Sequence, residues 1–462
     1  MRAHEAGALH GDLGSRGPSW LRTPEDVNAL LPQLWPRTVT RDGTGTLTVG
    51  GVSARDLADR FGTPVYVLDE ADLRARCREF AAAFAGADIY YAGKAFLCRH
   101  VVRIIAEEGL HLDVCSGGEL AVALAAGFPP ERIGFHGNNK STVELERAVD
   151  AGVGRIILDS FGEIDRLTAI GRERPDCRPR VMIRVTVGVE AHTHEFIATA
   201  HEDQKFGFSL AGGAAAAAAF RILDEGVLEL RGLHSHIGSQ IFDTSGFEVS
   251  ARRVLGLQAQ LRDARGVELP ELDLGGGFGI AYTTQDDPAP PTDLAKRLGK
   301  IVEDECDQSR LAVPRLSVEP GRAIVGPSVF TLYEVGTVKD VDSIRTYVSV
   351  DGGMSDNIRT ALYDASYSAT VASRASAAEP ILARVVGKHC EAGDIVVKDE
   401  FLPADVQPGD LLAVPGTGAY CRSMASNYNH VPRPPVVAVR DGEVRVIVRR
   451  ETEDDLLALD VG

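Results

Sequence analysis

The chain has 462 residues, which is too many for one compact core and predicts at least two domains. Its formal net charge of −17 disfavours nucleic acid and anionic membranes as partners, because their phosphates would be repelled. No apolar run reaches the roughly 18–20 residues that span a bilayer, and the first twenty residues lack the apolar stretch of a secretion signal. Seven scattered cysteines without a C-x-x-C pair give no support for structural zinc and are typical of the reducing cytoplasm.

From about residue 65 to residue 325, short runs rich in β-branched residues alternate with polar turns and helical stretches. This alternation occurs eight times, which predicts an α/β fold of the (β/α)8 TIM-barrel type rather than an open doubly wound sheet. The predicted strands are Ile89–Ala92, His111–Val114, Ile133–His136, Arg155–Leu158, Val181–Val185, Leu230–His236, Leu269–Leu274 and Arg315–Val318.

After about Pro327 short apolar runs are separated by turns with few helical stretches, which predicts a mostly β C-terminal domain. The runs include Tyr347–Val350, Ile395–Val397, Leu411–Val414, Val436–Val439 and Val444–Val448. The segment around Leu47–Val52 could add a strand to this domain. We therefore expect an N-terminal tail and joining segment at 1–64, a barrel at 65–327 and the β domain at 328–462.

The active-site groups of a TIM barrel lie at the carboxyl ends of its strands. The polar residues expected there are Lys94, Asp113, His136, Arg184, His236, Gly275–Gly277 and Glu319. Lys94, in I-Y-Y-A-G-K-A-F, is open to two interpretations. It can be a rim lysine that extends its ammonium to solvent, or a partly buried amine that forms a Schiff base.

Glycines follow the seventh predicted strand in L-D-L-G-G-G-F-G-I, residues 272–280. Such glycines let backbone N–H groups approach a phosphate, although a plain tight turn has the same composition. The spacing does not fit the G-x-G-x-x-G pattern of dinucleotide-binding folds.

The motif H-S-H-I-G-S-Q places His234 and His236 on one face of a strand. They could bind a metal, an interpretation to which His192, His194 and His201 contribute. Alternatively, one histidine is simply buried and hydrogen-bonded, or His236 stacks on a cofactor ring while Ser239 binds the cofactor's phosphate.

Two further motifs place charged groups in loops. In E-P-G-R, Glu319 could pair with a protonated ring nitrogen and Arg322 with an anion, although a loop salt bridge is the simpler alternative. Cys390, in G-K-H-C-E-A-G-D, lies among charged residues, where a thiol can titrate.

A third motif is helical. In D-G-G-M-S-D-N-I-R-T-A-L-Y, Arg359 and Tyr363 are four residues apart on one helical face.

Taken together, these motifs resemble the fold-type III pyridoxal-phosphate decarboxylases and, within them, the diaminopimelate decarboxylases. The resemblance runs from about Pro64 to the C-terminus. The pieces that carry it are Y-A-G-K-A-F, D-V-C-S-G-G-E, H-G-N-N-K-S, H-S-H-I-G-S-Q, G-G-G-F-G, E-P-G-R, D-G-G-M-S-D-N-I-R, C-E-A-G-D and G-A-Y. Family members combine a barrel with a C-terminal β domain and are usually homodimers whose active sites are completed by the partner subunit.

The resemblance implies roles for these residues. Lys94 would hold pyridoxal 5'-phosphate as a Schiff base, His236 would pack on the ring and Glu319 would keep the ring nitrogen protonated. Ser239, Gly276, Gly277 and Arg322 would lie around the phosphate. Cys390, from the second subunit, would protonate the α-carbon after CO2 has left, and Tyr420 would contact cofactor and substrate.

The substrate implied is meso-diaminopimelate, which carries a second amino-acid head, and the product is L-lysine. Arg359 can bind the distal carboxylate bidentately and Glu391 can pair with the distal ammonium. Arg322 and Tyr363 would be further substrate contacts by family resemblance. Ornithine or lysine would leave Arg359 unpaired, so a polyamine-pathway decarboxylase is the second choice.

Three other functions compete with this interpretation. A metal-dependent barrel hydrolase built on His234 and His236 would need zinc and leaves Lys94 without a role, so we expect no metal. A pyridoxal-phosphate carrier would typically be a barrel alone. An alanine-racemase-like enzyme would place an arginine where Glu319 stands.

Overall fold

The computed structural model describes residues 17–188, 204–341 and 344–462. Their contacts form two compact units. The barrel unit contains residues 76–279 and 288–323, and the β unit contains the described residues up to 75 together with 280–287 and 324–462. The strand Val65–Asp69 therefore belongs to the β unit.

The strands are β1 Thr40–Arg41, β2 Leu47–Val49, β3 Val52–Ser53, β4 Val65–Asp69, β5 Asp88–Ala92, β6 His111–Val114, β7 Ile133–Phe135, β8 Arg155–Leu158, β9 Arg180–Thr186, β10 Phe208–Ser209, β11 Glu229–His234, β12 Glu271–Asp273, β13 Arg315–Val318, β14 Val329–Val341, β15 Arg345–Val350, β16 Thr370–Val371, β17 Pro380–Val386, β18 Ile395–Pro403, β19 Leu411–Pro415, β20 Val436–Arg440 and β21 Glu443–Val448. The α-helices are Ala54–Phe61, Glu70–Ala83, Arg99–Glu107, Gly117–Ala125, Thr142–Ala151, Phe161–Glu173, Ala214–Glu225, Ser245–Arg265, Pro291–Ser309, Arg322–Val325, Arg359–Tyr363 and Glu453–Leu457.

Eight parallel strands close the barrel in the order β5-β6-β7-β8-β9-β11-β12-β13, and β13 pairs back onto β5. These are the eight predicted strands, with boundaries shifted by a few residues. The short strand β10 adds to β9 outside the ring. The predicted TIM barrel is confirmed.

Serine caps explain why helices begin soon after three successive strands. Ser116, Ser141 and Ser160 each accept a hydrogen bond from the backbone N–H of a glutamate three residues later. At Ser141 the Glu144 carboxylate also accepts from the serine N–H, which completes a capping box. The repeated S-x-x-E spacing thus ends the loop after each of these three strands and begins the next helix. The loops at these strand ends are therefore short.

The main sheet of the β unit has the order β18-β17-β15-β14-β4-β20-β21, with β19 pairing β14 and β16 pairing β19. The five C-terminal strand runs predicted from the sequence are confirmed. The segment around Leu47–Val52 does lie in the β unit as strands, β2 and β3, which form a separate three-stranded sheet with β1 and do not join the main sheet. This small sheet is hydrogen-bonded to the rest of the β unit through the Leu47 N–H, which donates to the Ala372 carbonyl (2.8 Å).

Apolar side chains from both sheets form one core of the β unit, which includes Trp35, Leu47, Val67 and Phe330. In the described part of the chain, no helix has the length and apolarity that crossing a membrane requires.

Candidate active site

The polar residues expected at the carboxyl ends of the barrel strands do lie there. Lys94 lies in a turn after β5, Asp113 lies in β6, His136 follows β7, Arg184 lies in β9, His236 follows β11, Gly275–Gly277 follow β12 and Glu319 follows β13. Because all eight strands are parallel, these residues share one end of the barrel unit.

Glu319 is the centre of a buried polar cluster. Its Oε1 lies 3.1 Å from His136 Nε2 and 3.1 Å from His234 Nε2. His136 Nε2 is also 3.2 Å from Asp113 Oδ1, and the two imidazole rings meet edge to face at 5.1 Å. All four side chains are buried, so their charges interact with little screening.

The cluster separates the protonation states of its members. Burial disfavours a charged ring at His136, but Glu319 and Asp113 outweigh it and raise the pKa of His136 to about 9. Burial also disfavours the Glu319 carboxylate, yet His136 and His234 hold the pKa of Glu319 well below its ordinary value. Burial, reinforced by Glu319, raises the pKa of Asp113 to about 7. Near neutral pH the cluster therefore presents an ionised Glu319 held by a protonated His136.

The glycine loop after β12 is held by a hydrogen bond to Asp273 and packs closely against neighbouring backbone. The Gly275 N–H donates to Asp273 Oδ1 (2.7 Å), and Gly275 and Gly277 have φ of +70° and +105°. A Cβ at Gly276 would lie 2.1 Å from the Glu319 carbonyl oxygen, and one at Gly277 would lie 2.3 Å from the Gly238 carbonyl oxygen. Only glycine therefore fits at this turn.

His236 and Ser239 are joined to the neighbouring loops. The Gly276 N–H donates to His236 Nδ1 (3.3 Å), so the neutral ring carries its proton on Nε2. Burial, and then the positive charges of Lys94 and Arg184, hold the pKa of His236 well below its ordinary value. Arg322 donates from Nη2 to Ser239 Oγ (2.8 Å). The structure thus brings together the histidine, serine, glycine and arginine that the sequence singled out.

Lys94 is exposed in the described chain, and its charge is close enough to act on His236 and Cys115. The turn that carries it lies against the E-P-G-R loop, since the Ala92 N–H donates to the Pro320 carbonyl (3.3 Å). The motifs of Lys94 and Arg322 are therefore neighbours.

In the β unit, Arg359 is 6% exposed and has no carboxylate partner among the residues that the structure describes. Its Nη1 donates to the Tyr367 hydroxyl, and its guanidinium lies over the Tyr282 ring (4.7 Å) and the Tyr367 ring (5.6 Å). A buried cation among neutral partners favours binding of an anion. Tyr363, four residues further along, is 61% exposed.

The loop of Cys390 is fixed by Asp394. The Asp394 carboxylate accepts from the backbone N–H of Met354 (2.6 Å) and of His389 (2.7 Å). It therefore connects the C-E-A-G-D and D-G-G-M-S-D-N motifs, which are 40 residues apart in sequence. Cys390 is exposed, and its N–H donates to Asn429 Oδ1 (3.0 Å).

Two other predicted residues of the β unit are only partly buried. Glu391 follows Cys390, and its Oε1 accepts from the Gly393 N–H (3.3 Å). Tyr420 has a φ of +65°, a conformation that side-chain-bearing residues rarely adopt. Such a conformation is found more often at functional sites than elsewhere.

The contacts within these clusters, and some of their members, were not predicted from the sequence. His136 and Asp113 were expected at strand ends, but nothing local indicated that they contact Glu319. Tyr282, Tyr367 and Cys421 lie in no recognisable motif, and only their convergence around Arg359 distinguishes them.

A metal ion is the alternative for the histidines. Within the described ranges, the group whose atoms could hold one is His136, His234 and Glu319, with ligand atoms within 4.8 Å of one another. His236 is not part of it, so the pair expected for a hydrolase is not formed. His192, His194 and His201 lie outside the described residues.

Comparison with known proteins identifies the family. Residues 70–326 match the family described as pyridoxal-dependent decarboxylase, pyridoxal binding domain. The diaminopimelate decarboxylase of Mycobacterium tuberculosis is 60% identical over 444 residues, which cover 94% of this chain and 98% of that protein. This chain belongs to the diaminopimelate decarboxylase family. The diaminopimelate decarboxylase of Mycobacterium leprae is 56% identical over 472 residues and covers 100% of both chains.

A solved diaminopimelate decarboxylase has the same fold along nearly the whole chain. The crystal structure of the M. jannaschii enzyme in co-complex with L-lysine superposes with a TM-score of 0.87 at 31% identity, covering 93% of this chain and 99% of that one. The fold-type III architecture expected from the sequence is thus confirmed, as is the diaminopimelate decarboxylase resemblance.

Proposed function

We propose that this chain is a carbon–carbon lyase that decarboxylates meso-diaminopimelate to L-lysine and CO2 with pyridoxal 5'-phosphate, the last step of lysine biosynthesis. The observation that carries the substrate assignment is that Arg359 is buried and has no carboxylate partner among the residues that the structure describes. The observation that supports the cofactor is the convergence of Glu319, the glycine loop and the Ser239–Arg322 pair at one end of the barrel.

The residues present fit the cofactor. The loop at Gly276 and Gly277 runs so close to the Glu319 and Gly238 carbonyls that only glycine fits, which lets its backbone approach a phosphate, and Arg322 and Ser239 add a cation and a hydroxyl. His236 would pack on the ring, and Lys94 would supply the amine that holds the cofactor's aldehyde carbon. When bound, pyridoxal phosphate supplies an electron sink for the negative charge left on the substrate when CO2 departs.

Glu319 would keep the ring nitrogen of the cofactor protonated and the ring positively charged. An ionised carboxylate stabilises a proton on a neighbouring ring nitrogen, and His136 and His234 keep Glu319 ionised although it is buried. A protonated ring withdraws electrons more strongly than a neutral one. The residues that hold Glu319 thereby support the reaction without touching the substrate.

Arg359 would select the substrate by its distal carboxylate. Its partners in the structure are neutral, so an incoming carboxylate supplies the missing negative charge and can accept two parallel N–H bonds. An amino acid that lacks this carboxylate leaves the guanidinium buried and unpaired, which disfavours its binding. Glu391 would pair with the distal ammonium, and Arg322, Tyr363 and Tyr420 would complete the substrate contacts.

Cys390 would donate a proton from Sγ to the substrate's α-carbon after CO2 has left. We place it in the active site of a second subunit, so that a homodimer contains two shared sites. Its exposure on a loop held by Asp394 and Asn429 supports this assignment, since a group that acts across an interface must be accessible in its own chain. The cysteines of the described chain are free thiols, which suits the proposed cytoplasmic location.

The test is to incubate the cofactor-loaded protein separately with meso-diaminopimelate, ornithine, arginine and lysine, and to measure CO2 and the amine product. CO2 with L-lysine from diaminopimelate alone is expected. CO2 from a basic amino acid instead would leave the cofactor assignment in place and overturn the substrate. No CO2 from any substrate would overturn the decarboxylase proposal.

A further inference from the structure

Arg359 lies in a closed circuit of hydrogen bonds within the β unit. Its Nη1 donates to the Tyr367 hydroxyl, and that hydroxyl lies 3.6 Å from Cys421 Sγ. Cys421 Sγ in turn lies 3.5 Å from Asn357 Oδ1, which also accepts from the Arg359 backbone N–H (3.4 Å). One chain of contacts therefore connects the side chain of Arg359 to its own backbone.

The direction of these bonds follows from the donors available. A guanidinium can only donate, so Tyr367 accepts from Arg359 and has its own proton left to give. The thiol can accept that proton, and its own S–H has two acceptors within reach, the Asn357 amide oxygen (3.5 Å) and the Ala419 carbonyl oxygen (3.8 Å). Tyr367 and Cys421 are both fully buried, so water does not compete for these bonds.

The circuit also leaves part of the guanidinium available. Tyr367 takes one nitrogen, and the faces of the Tyr282 and Tyr367 rings attract the cation without using its N–H groups. The two rings pack edge to face at 5.1 Å, so they hold each other in place. The remaining N–H groups of Arg359 keep a fixed direction.

We infer that Tyr367, supported by Cys421, is a positioning residue that aims Arg359 at the distal carboxylate of the substrate. This inference rests on the proposed function, because it takes Arg359 as the group that binds this carboxylate. Tyr367 touches neither substrate nor cofactor in this role. It determines specificity by keeping the guanidinium in the geometry that a carboxylate requires.

Tyr367→Phe is the sharpest test, because it removes the hydroxyl and keeps the ring beneath the cation. The loss leaves a buried N–H without an acceptor, so we expect the KM for diaminopimelate to rise about tenfold with kcat within about threefold. The inhibition constant of L-lysine, which retains the distal carboxylate, should rise by a similar factor. That of cadaverine, which is lysine without its carboxylate, should stay within about twofold.

Three further variants of the holoenzyme separate the possible outcomes. Cys421→Ala, which removes the sulfur behind Tyr367 and leaves the tyrosine in place, should raise the same KM about threefold. Ser328→Ala is the control, since it also loses a buried hydroxyl, one that donates to the Val325 carbonyl (2.9 Å) and takes no part in the circuit. It should leave both inhibition constants unchanged. Arg359→Ala should raise the KM for diaminopimelate strongly.

If Tyr367→Phe leaves the L-lysine constant unchanged while Arg359→Ala raises it, the positioning role is wrong and the proposed function stands. An unchanged KM in both variants would overturn the proposed substrate contact itself. Equal weakening of L-lysine and cadaverine by Tyr367→Phe would show a general structural effect and would also reject the positioning role.

Discussion

His136 Nε2 lies 3.1 Å from Oε1 of Glu319, and both side chains are buried in the barrel unit. The same nitrogen lies 3.2 Å from Asp113 Oδ1, and His234 is the other titratable ring in contact with Glu319. A protonated His136 thus bridges two carboxylates. This arrangement links the stability of the barrel to pH.

We predict that the cofactor-free protein loses stability as the pH rises from about 6.5 to about 9. The folded pKa of His136 is raised to about 9 from an ordinary value of 6.5, so its contribution is complete below pH 6.5 and is lost through pH 9. The size is on the order of 3 kcal/mol. The measurement is the free energy of unfolding in urea at pH 6.0 and 9.5, for the native protein and for His136→Asn. An equal pH-dependent loss in His136→Asn would contradict the prediction.

Lys94→Ala should abolish the absorbance of the protein-bound Schiff base, because the amine that forms it is removed. Spectra of the protein mixed with pyridoxal phosphate, before and after borohydride reduction, measure this directly. Lys140→Ala is not a suitable control, since Lys140 is buried in an ion pair with Glu163 (2.6 Å). Lys300, exposed and paired with Asp304 on the same helix face, provides one, and Lys300→Ala should keep the band. A reducible band in Lys94→Ala would show that another lysine is used.

Cys390→Ala should lower turnover about 10²- to 10⁴-fold while the bound-cofactor absorbance remains, as expected for loss of a proton donor. Mixing it with Lys94→Ala under conditions that exchange subunits tests the shared site. Each mixed dimer would contain one intact site, so activity should return to about a quarter of the native value. If mixing restores nothing although mixed dimers form, Cys390 acts within its own chain.

Gly277→Ala should weaken pyridoxal-phosphate binding about tenfold. Its φ is +105° and the added Cβ would lie 2.3 Å from the Gly238 carbonyl oxygen, so the loop must shift. Gly256→Ala is the matched control, because Gly256 lies in the helix Ser245–Arg265 with no atom within 4 Å of the new Cβ. Cofactor titration should leave Gly256→Ala at the native affinity, and equal affinities for both variants would argue against a phosphate site at the glycine loop.

Dialysis against a metal chelator should leave activity unchanged, because Oε1 of Glu319 already lies 3.1 Å from the Nε2 atoms of both His136 and His234, and a protonated His136 supplies the positive charge. The check is turnover and bound zinc before and after dialysis. Loss of activity that added zinc restores would favour a metal at this cluster.

The sequence alone determined the barrel and the motifs at its strand ends. The signals are local: an apolar run followed by a polar turn and a helical stretch defines each repeat, and three of the helices begin at an S-x-x-E cap. Parallel strands then bring every strand end to one side, so the positions of Lys94 and Glu319 followed from chain order. The resemblance extended this to the cofactor.

Only the tertiary structure decided which side chains meet. Glu319 contacts His136 although 183 residues separate them, and Arg359 contacts Tyr282 across 77 residues. Local sequence patterns do not predict such pairs, because the pairs depend on how separate elements pack. The same reason explains why the segment around Leu47–Val52 could be predicted to add a strand to the β domain, whereas the separate sheet that it forms with β1 could not. Its alternation predicts a strand, but partners are chosen by long-range packing, and β4 takes the place between β14 and β20.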